Sequence, residues 1–130
     1  MRAMLLRDIA GCLRFRQWTK NITIFAALIF ANHVHHTQYL IRSIAAFFLF
    51  SFGAGAVYIF NDIIDYDHDR EHPVKRLRPI PSGKVSLGTA WSVSVILALT
   101  VLWISFLFSR PFGVVMLIYM VLQVFYTLRL

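Results

Sequence analysis

Apolar residues fall along this chain in long blocks, not at the 3.6- or 2-residue period of a soluble amphipathic helix or strand. Four blocks stand out. The first runs from about Trp18 to Ala31, shorter than the roughly 20 residues that a straight membrane span needs. It either continues through Asn32-His33-Val34-His35-His36 toward Leu40 or lies tilted at the interface. The second covers Ile44 to Phe60, the third Leu87 to Phe108 and the fourth Phe112 to Leu128. Only Ser109-Arg110-Pro111 separates the last two, which predicts a tight antiparallel hairpin. Strands of a membrane barrel would alternate apolar with polar, so the pattern predicts an all-α, polytopic transmembrane bundle of about four spans in one domain, 1–130. Within the second block, Ser51-Phe52-Gly53-Ala54-Gly55-Ala56 is small enough for another element to approach closely.

Composition and charge sharpen this picture. Of 130 residues 58% are hydrophobic, and the mean hydropathy is +0.66, both of membrane grade. Eleven of the thirteen Lys and Arg residues lie before the first span, between the second and third, or at Arg129; only Arg42 and Arg110 remain for the other side. Four spans place those eleven together, and by the positive-inside rule that side is cytoplasmic. The net charge of +7 then reflects topology, and no basic patch interleaved with aromatics argues for a nucleic-acid partner. The opening Met1-Arg2-Ala3-Met4-Leu5-Leu6-Arg7-Asp8 has too short an apolar run for a signal peptide, so no cleavage is expected. The single Cys12 is expected in a small apolar core position.

Five of the six acidic residues crowd into Asn61-Asp62-Ile63-Ile64-Asp65-Tyr66-Asp67-His68-Asp69-Arg70-Glu71, directly after the second span. Carboxylates at a bilayer edge are costly and mark function by default. On a helix, Asp62, Asp65 and Asp69 are spaced i, i+3, i+7 and share a face, with Asp67 opposite. Next comes a loop in which Pro73, Pro79 and Pro81 fix the backbone and hold Arg70, Lys75, Arg76 and Arg78 beside the acids. Mg²⁺ takes one or two carboxylates and completes its shell with waters and phosphate oxygens. Arginine and lysine grip the remaining phosphate oxygens. The cytoplasmic loop 61–84 is thus a candidate site for Mg²⁺ and a diphosphate. The plain alternative is a solvated ladder of interfacial ion pairs, each worth little.

Asn61-Asp62-x-x-Asp65-x-x-x-Asp69 followed by Arg78-Pro79-Ile80-x-x-Gly83 resembles the first aspartate-rich motif of the UbiA superfamily of intramembrane prenyltransferases. The variant Asp69-Arg70-x-His72-Pro73-x-Lys75-Arg76-x-Arg78-Pro79-Ile80, with Arg16-Gln17-Trp18-Thr19-Lys20-Asn21 and the terminal Tyr126-Thr127-Leu128-Arg129-Leu130, is most similar to the decaprenyl-phosphate phosphoribosyltransferase branch. The resemblance implies a helical membrane transferase, here its N-terminal half, in a prokaryotic plasma membrane. Its donor would be phosphoribosyl diphosphate and its acceptor a polyprenyl phosphate; prenyl transfer from a prenyl diphosphate to an aromatic acceptor is the alternative. It also makes Asp62, Asp65 and Asp69 the catalytic, Mg²⁺-holding residues, assisted by Asn61, with Arg70, Lys75, Arg76, Arg78 and Lys20 at the substrate phosphates. For Lys20, an ordinary membrane-edge lysine is an equal expectation.

Superfamily members carry a second aspartate-rich helix, and nothing after Glu71 in this sequence is acidic. The chain is therefore expected to be a fragment, a truncated product or a half-protein that pairs. The end at Leu130 favours truncation. A homodimer about an axis along the membrane normal would set two copies of the Asp62, Asp65 and Asp69 face opposite each other. A non-catalytic subunit binding anionic lipid is the competing class. His33, His35 and His36 read as polar loop residues, not metal ligands, because no acid or thiol joins them. His68 and His72 are candidate bases or simple caps, and Gln123 an interhelical hydrogen-bonding group. Trp18, Trp91 and Trp103 suit interface or lipid contact. No Ser-His-Asp arrangement, P-loop or dinucleotide fingerprint is present.

Overall fold

A computed structural model describes residues 2–22 and 37–129. Its elements are helix α1 (Arg2–Cys12), a 3₁₀ segment (Phe15–Ile22), the long helix α2 (Thr37–Ile64), the short helix α3 (Tyr66–Glu71), a 3₁₀ turn (Lys75–Leu77), and helices α4 (Leu87–Phe108) and α5 (Arg110–Arg129). Among the described residues there is no strand. Three helices among the described residues, α2, α4 and α5, are long and apolar enough to cross a membrane, and the protein is an all-α integral membrane bundle. Residues 23–31 of the expected first span, the side chain of Lys20, and His33, His35 and His36 lie outside the described residues. Trp18 to Ile22, the start of that span, belong to the 3₁₀ segment.

The second span is longer at both ends than its apolar block. Its 28 residues reach about 42 Å at 1.5 Å per residue, against a hydrocarbon layer of about 30 Å. The surplus is long enough for Asn61 and Asp62, on the same helix, to reach headgroup level. The third span matches its expected bounds, and Ser86 caps it by accepting from the Thr89 N–H at 3.2 Å. The fourth begins two residues earlier than expected. Pro111 lacks a donor that the first turn does not use, so Arg110 and Pro111 are helical and Ser109 alone makes the connection.

Helix α2 is the central element, with 44% of its most apolar window buried against 17% in α4 and 22% in α5. Its small residues are where the others seat. A Cβ on Gly55 would stand 2.7 Å from Leu13, and one on Gly53 3.0 Å from the Met116 sulfur. The buried Ser94 hydroxyl of α4 donates to the Ala56 carbonyl at 3.0 Å. Two apolar clusters result: Val57, Val101, Met116 and Met120 between the spans, and Cys12, Leu13, Ile59, Ile63, Ile80, Val85 and Ala90 at one end. The second cluster knits the N-terminal arm and the proline-rich loop onto the bundle end that carries the acids. The outer faces of α4 and α5, with Leu99, Trp103, Leu107, Leu122 and Phe125 exposed, suit lipid.

Candidate functional site

The site is built where α2 runs out. Asp62 is 3% exposed and Asp69 2%, while Asp65 between them is exposed. Helix α2 stops at Ile64, and Asp65 has φ −90° and ψ 10° before α3 begins. Helical hydrogen bonds continue on both sides, from Asp65 N–H to the Asn61 carbonyl at 2.9 Å and from Asp69 N–H to the Asp65 carbonyl at 2.8 Å. The i, i+7 pair thus faces inward together. Asp65, placed on the same face by its spacing, stands on the open side and makes no side-chain cap.

Buried carboxylates need partners. Arg78 Nη1 lies 3.4 Å from Asp62 Oδ1 and 4.0 Å from Asp69 Oδ2, so one guanidinium bridges both acids. Its place is fixed by the loop behind it. Ser82 N–H bonds the Arg78 carbonyl at 3.0 Å, Gly83 N–H bonds the Ile80 carbonyl at 3.1 Å, and Val85 N–H bonds the Pro79 carbonyl at 3.0 Å. Gly83 takes φ +86°, a conformation natural to glycine, and Ile80 is wholly buried. The prolines and this apolar plug deliver Arg78 to the acids. The other expected phosphate residues sit further out. Arg70 is exposed, stacked over its neighbour Tyr66 at 5.4 Å. Arg76 is exposed and Lys75 half-buried at the 3₁₀ turn.

A second guanidinium is a finding of the tertiary structure. Arg14 Nη2 lies 2.6 Å from Asp62 Oδ1, and its guanidinium carbon is 4.7 Å from the centre of the Tyr58 ring. The sequence shows Arg14 only as one of the orientation charges; nothing local connects it to a residue 48 positions away. Arg14, two residues past the end of α1, has φ 53°, in the left-handed region where glycine normally closes a helix. Asn61 is held too: its Oδ1 accepts from the Thr127 hydroxyl of α5. That hydroxyl also lies 2.9 Å from the Gln123 carbonyl. His72 acts as a cap, its Nδ1 accepting the Val74 and Lys75 N–H groups at 3.1 Å each, and His68 is exposed. Cys12 is a core residue as expected; burial, then the charges of Asp62 and Asp8, push its thiol up to about 12.

Two inward carboxylates, a bridging arginine and an amide at the end of three apolar helices define an integral membrane protein with an ion-paired acidic site at one end of its bundle. The chain belongs to the UbiA prenyltransferase family, whose model matches residues 21–130. It is 36% identical over 128 residues to a decaprenyl-phosphate phosphoribosyltransferase of Mycobacterium tuberculosis, covering 95% of this chain and 42% of that protein. A protein of the same name from Corynebacterium glutamicum is 40% identical over 97 residues, 73% of this chain and 29% of the relative. A digeranylgeranylglyceryl phosphate synthase of Methanosphaera stadtmanae is 30% identical over 107 residues, 81% of this chain and 37% of the relative. The chain thus spans less than half the length of these relatives.

Proposed function

We propose that this chain supplies the donor-diphosphate wall of a Mg²⁺-dependent intramembrane transferase that moves phosphoribose from phosphoribosyl diphosphate to a polyprenyl phosphate. The observation that carries it is the pair of buried carboxylates, Asp62 and Asp69, converging on the Arg78 guanidinium. Their oxygen-only character suits Mg²⁺. No three acidic, His or Cys residues among those described could hold a metal ion together, and Mg²⁺ commonly takes just one or two carboxylates with substrate phosphate completing the shell. Bound there, the ion would neutralise charge on the diphosphate. Asp62 and Asp69 would hold it, with Asp65 on the open side toward solvent. Arg78, Lys75 and Arg76 would take the outer phosphate oxygens, with Arg70 and Lys20 as further contacts. Asn61, held by Thr127, would orient the donor. The acceptor phosphate oxygen then bonds to the anomeric carbon as the bond from that carbon to the diphosphate oxygen breaks, the electron pair leaving with the diphosphate.

The phosphoribosyl donor is favoured by the names of the mycobacterial and corynebacterial relatives. Prenyl transfer is the second possibility, favoured by the synthase relative. An apolar cleft of about 210 Å³ is lined by Val57, Phe60, Trp91, Val95, Met120 and others, Phe60 being the residue before Asn61 in the sequence. It suits the isoprenoid chain in either case. The clustered basic residues support a cytoplasmic site, and the bacterial and archaeal sources of the relatives support the plasma membrane of a prokaryote. Labelled phosphoribosyl diphosphate should bind to membranes carrying the protein in Mg²⁺ and be lost in Asp62→Asn and Asp69→Asn. Binding of a labelled prenyl diphosphate, lost in the same two variants, with no binding of labelled phosphoribosyl diphosphate would move the assignment to prenyl transfer. Retained binding in both Asn variants, with loss on neutralising Arg76 and Arg78, would favour a lipid-binding subunit instead.

A further inference from the structure

Asp62 presents one oxygen, Oδ1, to two guanidinium groups, and the two are not equivalent. Arg78 spans both acids from 3.4 and 4.0 Å and is suited to remain beside a bound diphosphate. Arg14 is the tighter partner at 2.6 Å and touches Asp62 alone among the acids. It arrives from a different part of the chain, on an arm docked by Leu13 against Gly55 and by the Trp18 ring, whose centre lies 5.0 Å from that of Phe52. Its backbone is in the left-handed region, a conformation that a non-glycine residue adopts at a cost and that clusters at functional sites. The face of Tyr58 stacks on the guanidinium. The arm therefore places a fixed cation on the carboxylate oxygen that a divalent ion would need. With Arg14 and Arg78 both in place, the two buried acids are already balanced charge for charge, and a divalent ion entering alone would meet no net negative charge to hold it.

We propose that Arg14 is an intramolecular counter-ion that occupies Asp62 in the donor-free protein and yields it only when the donor diphosphate arrives with its metal. The guanidinium then transfers from carboxylate to phosphate, a bidentate acceptor that it fits at least as well. The consequence is ordered loading: metal binds weakly without diphosphate and well with it, which keeps an acidic site at the membrane edge from filling with divalent cation unproductively. This rests on the metal–diphosphate assignment above and adds to it a residue and a coupling that the assignment does not require.

Mn²⁺ binding, followed by its electron paramagnetic resonance signal, tests the inference on the whole polypeptide in detergent, with and without inorganic diphosphate. Without diphosphate, Arg14→Gln should bind Mn²⁺ about tenfold tighter than the unsubstituted protein, the scale on which a neighbouring charge shifts ion binding. Arg14→Gly, whose backbone favours the left-handed turn, should do the same and covers the case in which the glutamine variant misfolds. Arg14→Lys keeps the charge and should keep the weak affinity. With diphosphate present the differences should shrink or reverse. Equal or weaker Mn²⁺ binding in the Gln and Gly variants would overturn the counter-ion role and leave the metal site standing. If no form binds Mn²⁺ under either condition, the metal–diphosphate assignment fails and this inference with it.

Discussion

Arg14 is the residue whose behaviour the structure constrains most, because its backbone and its side chain make opposing demands. A left-handed backbone costs a non-glycine residue about 1–2 kcal/mol, while the guanidinium pairs with the buried Asp62. Arg14→Ala loses the pair and keeps the backbone cost; Arg14→Gly loses the pair and relieves the cost. The glycine variant should accordingly be more stable than the alanine variant by about 1 kcal/mol, measured by thermal unfolding in detergent, and equal melting points would refute the strained turn. Cys12 gives a second check at this scale. With its thiol raised from 9.0 to about 12, it should stay unmodified by maleimide at pH 8 in the folded protein and react on denaturation. The sign of its linkage follows: the raised value contributes stability that is fully present below about pH 9 and is lost as pH climbs toward 12.

Elements, not single side chains, bring the site together. Residues 78–85 form a turn plugged by Ile80 and Val85 into the cluster shared with α1, α2 and α4, and that plug sets the distance from Arg78 to both acids. Truncating Ile80 to alanine should cost about 2–5 kcal/mol, the range for a buried aliphatic side chain. It should also open the 73–84 loop to trypsin before the spans unfold. A loop cut no faster than in the unsubstituted protein would show that the prolines alone hold it. Between α4 and α5 the hairpin turns in one residue, so Gly113 lies under Phe106, where a Cβ would stand 2.5 Å from the ring and 2.9 Å from the backbone. Gly113→Leu should splay the hairpin and lower the melting temperature in detergent, and an unchanged melting temperature would refute the close seating of Gly113 under Phe106. The length of α4 was legible from its apolar block because nothing but hydropathy sets it. The break at Asp65 was not, since Asp65 itself is compatible with either a continuous helix or a kink.

At the scale of the whole molecule, the acids need a facing wall. Family resemblance calls for a second acidic helix, and this chain spans 42% of its mycobacterial relative. Two arrangements would supply it: a longer polypeptide, or a second copy about an axis along the membrane normal. An immunoblot of source membranes against residues 1–20 separates them. A band more than twice 15.0 kDa means the remaining wall is in cis. A band at 15.0 kDa directs attention to the pair, for which single cysteines beside Asp62, in a Cys12→Ser background, should crosslink symmetrically. Failure of every such pair would exclude the dimer.

By itself the sequence determined the membrane class, the three described spans, the hairpin and the acidic end of the second span. These follow from hydropathy and charge, which each residue carries wherever it sits. Only the tertiary structure decided that Asp62 and Asp69 turn inward while Asp65 stays out, that Arg78 bridges the inward pair, that Thr127 holds Asn61, and that Arg14 reaches Asp62 at all. Apart from the uncharged Thr127–Asn61 pair, those are choices among equally charged candidates. They were settled by which backbone the packing of Leu13, Ile59, Ile63 and Ile80 brings within 4 Å of a buried carboxylate, and no local pattern encodes a distance across 48 residues.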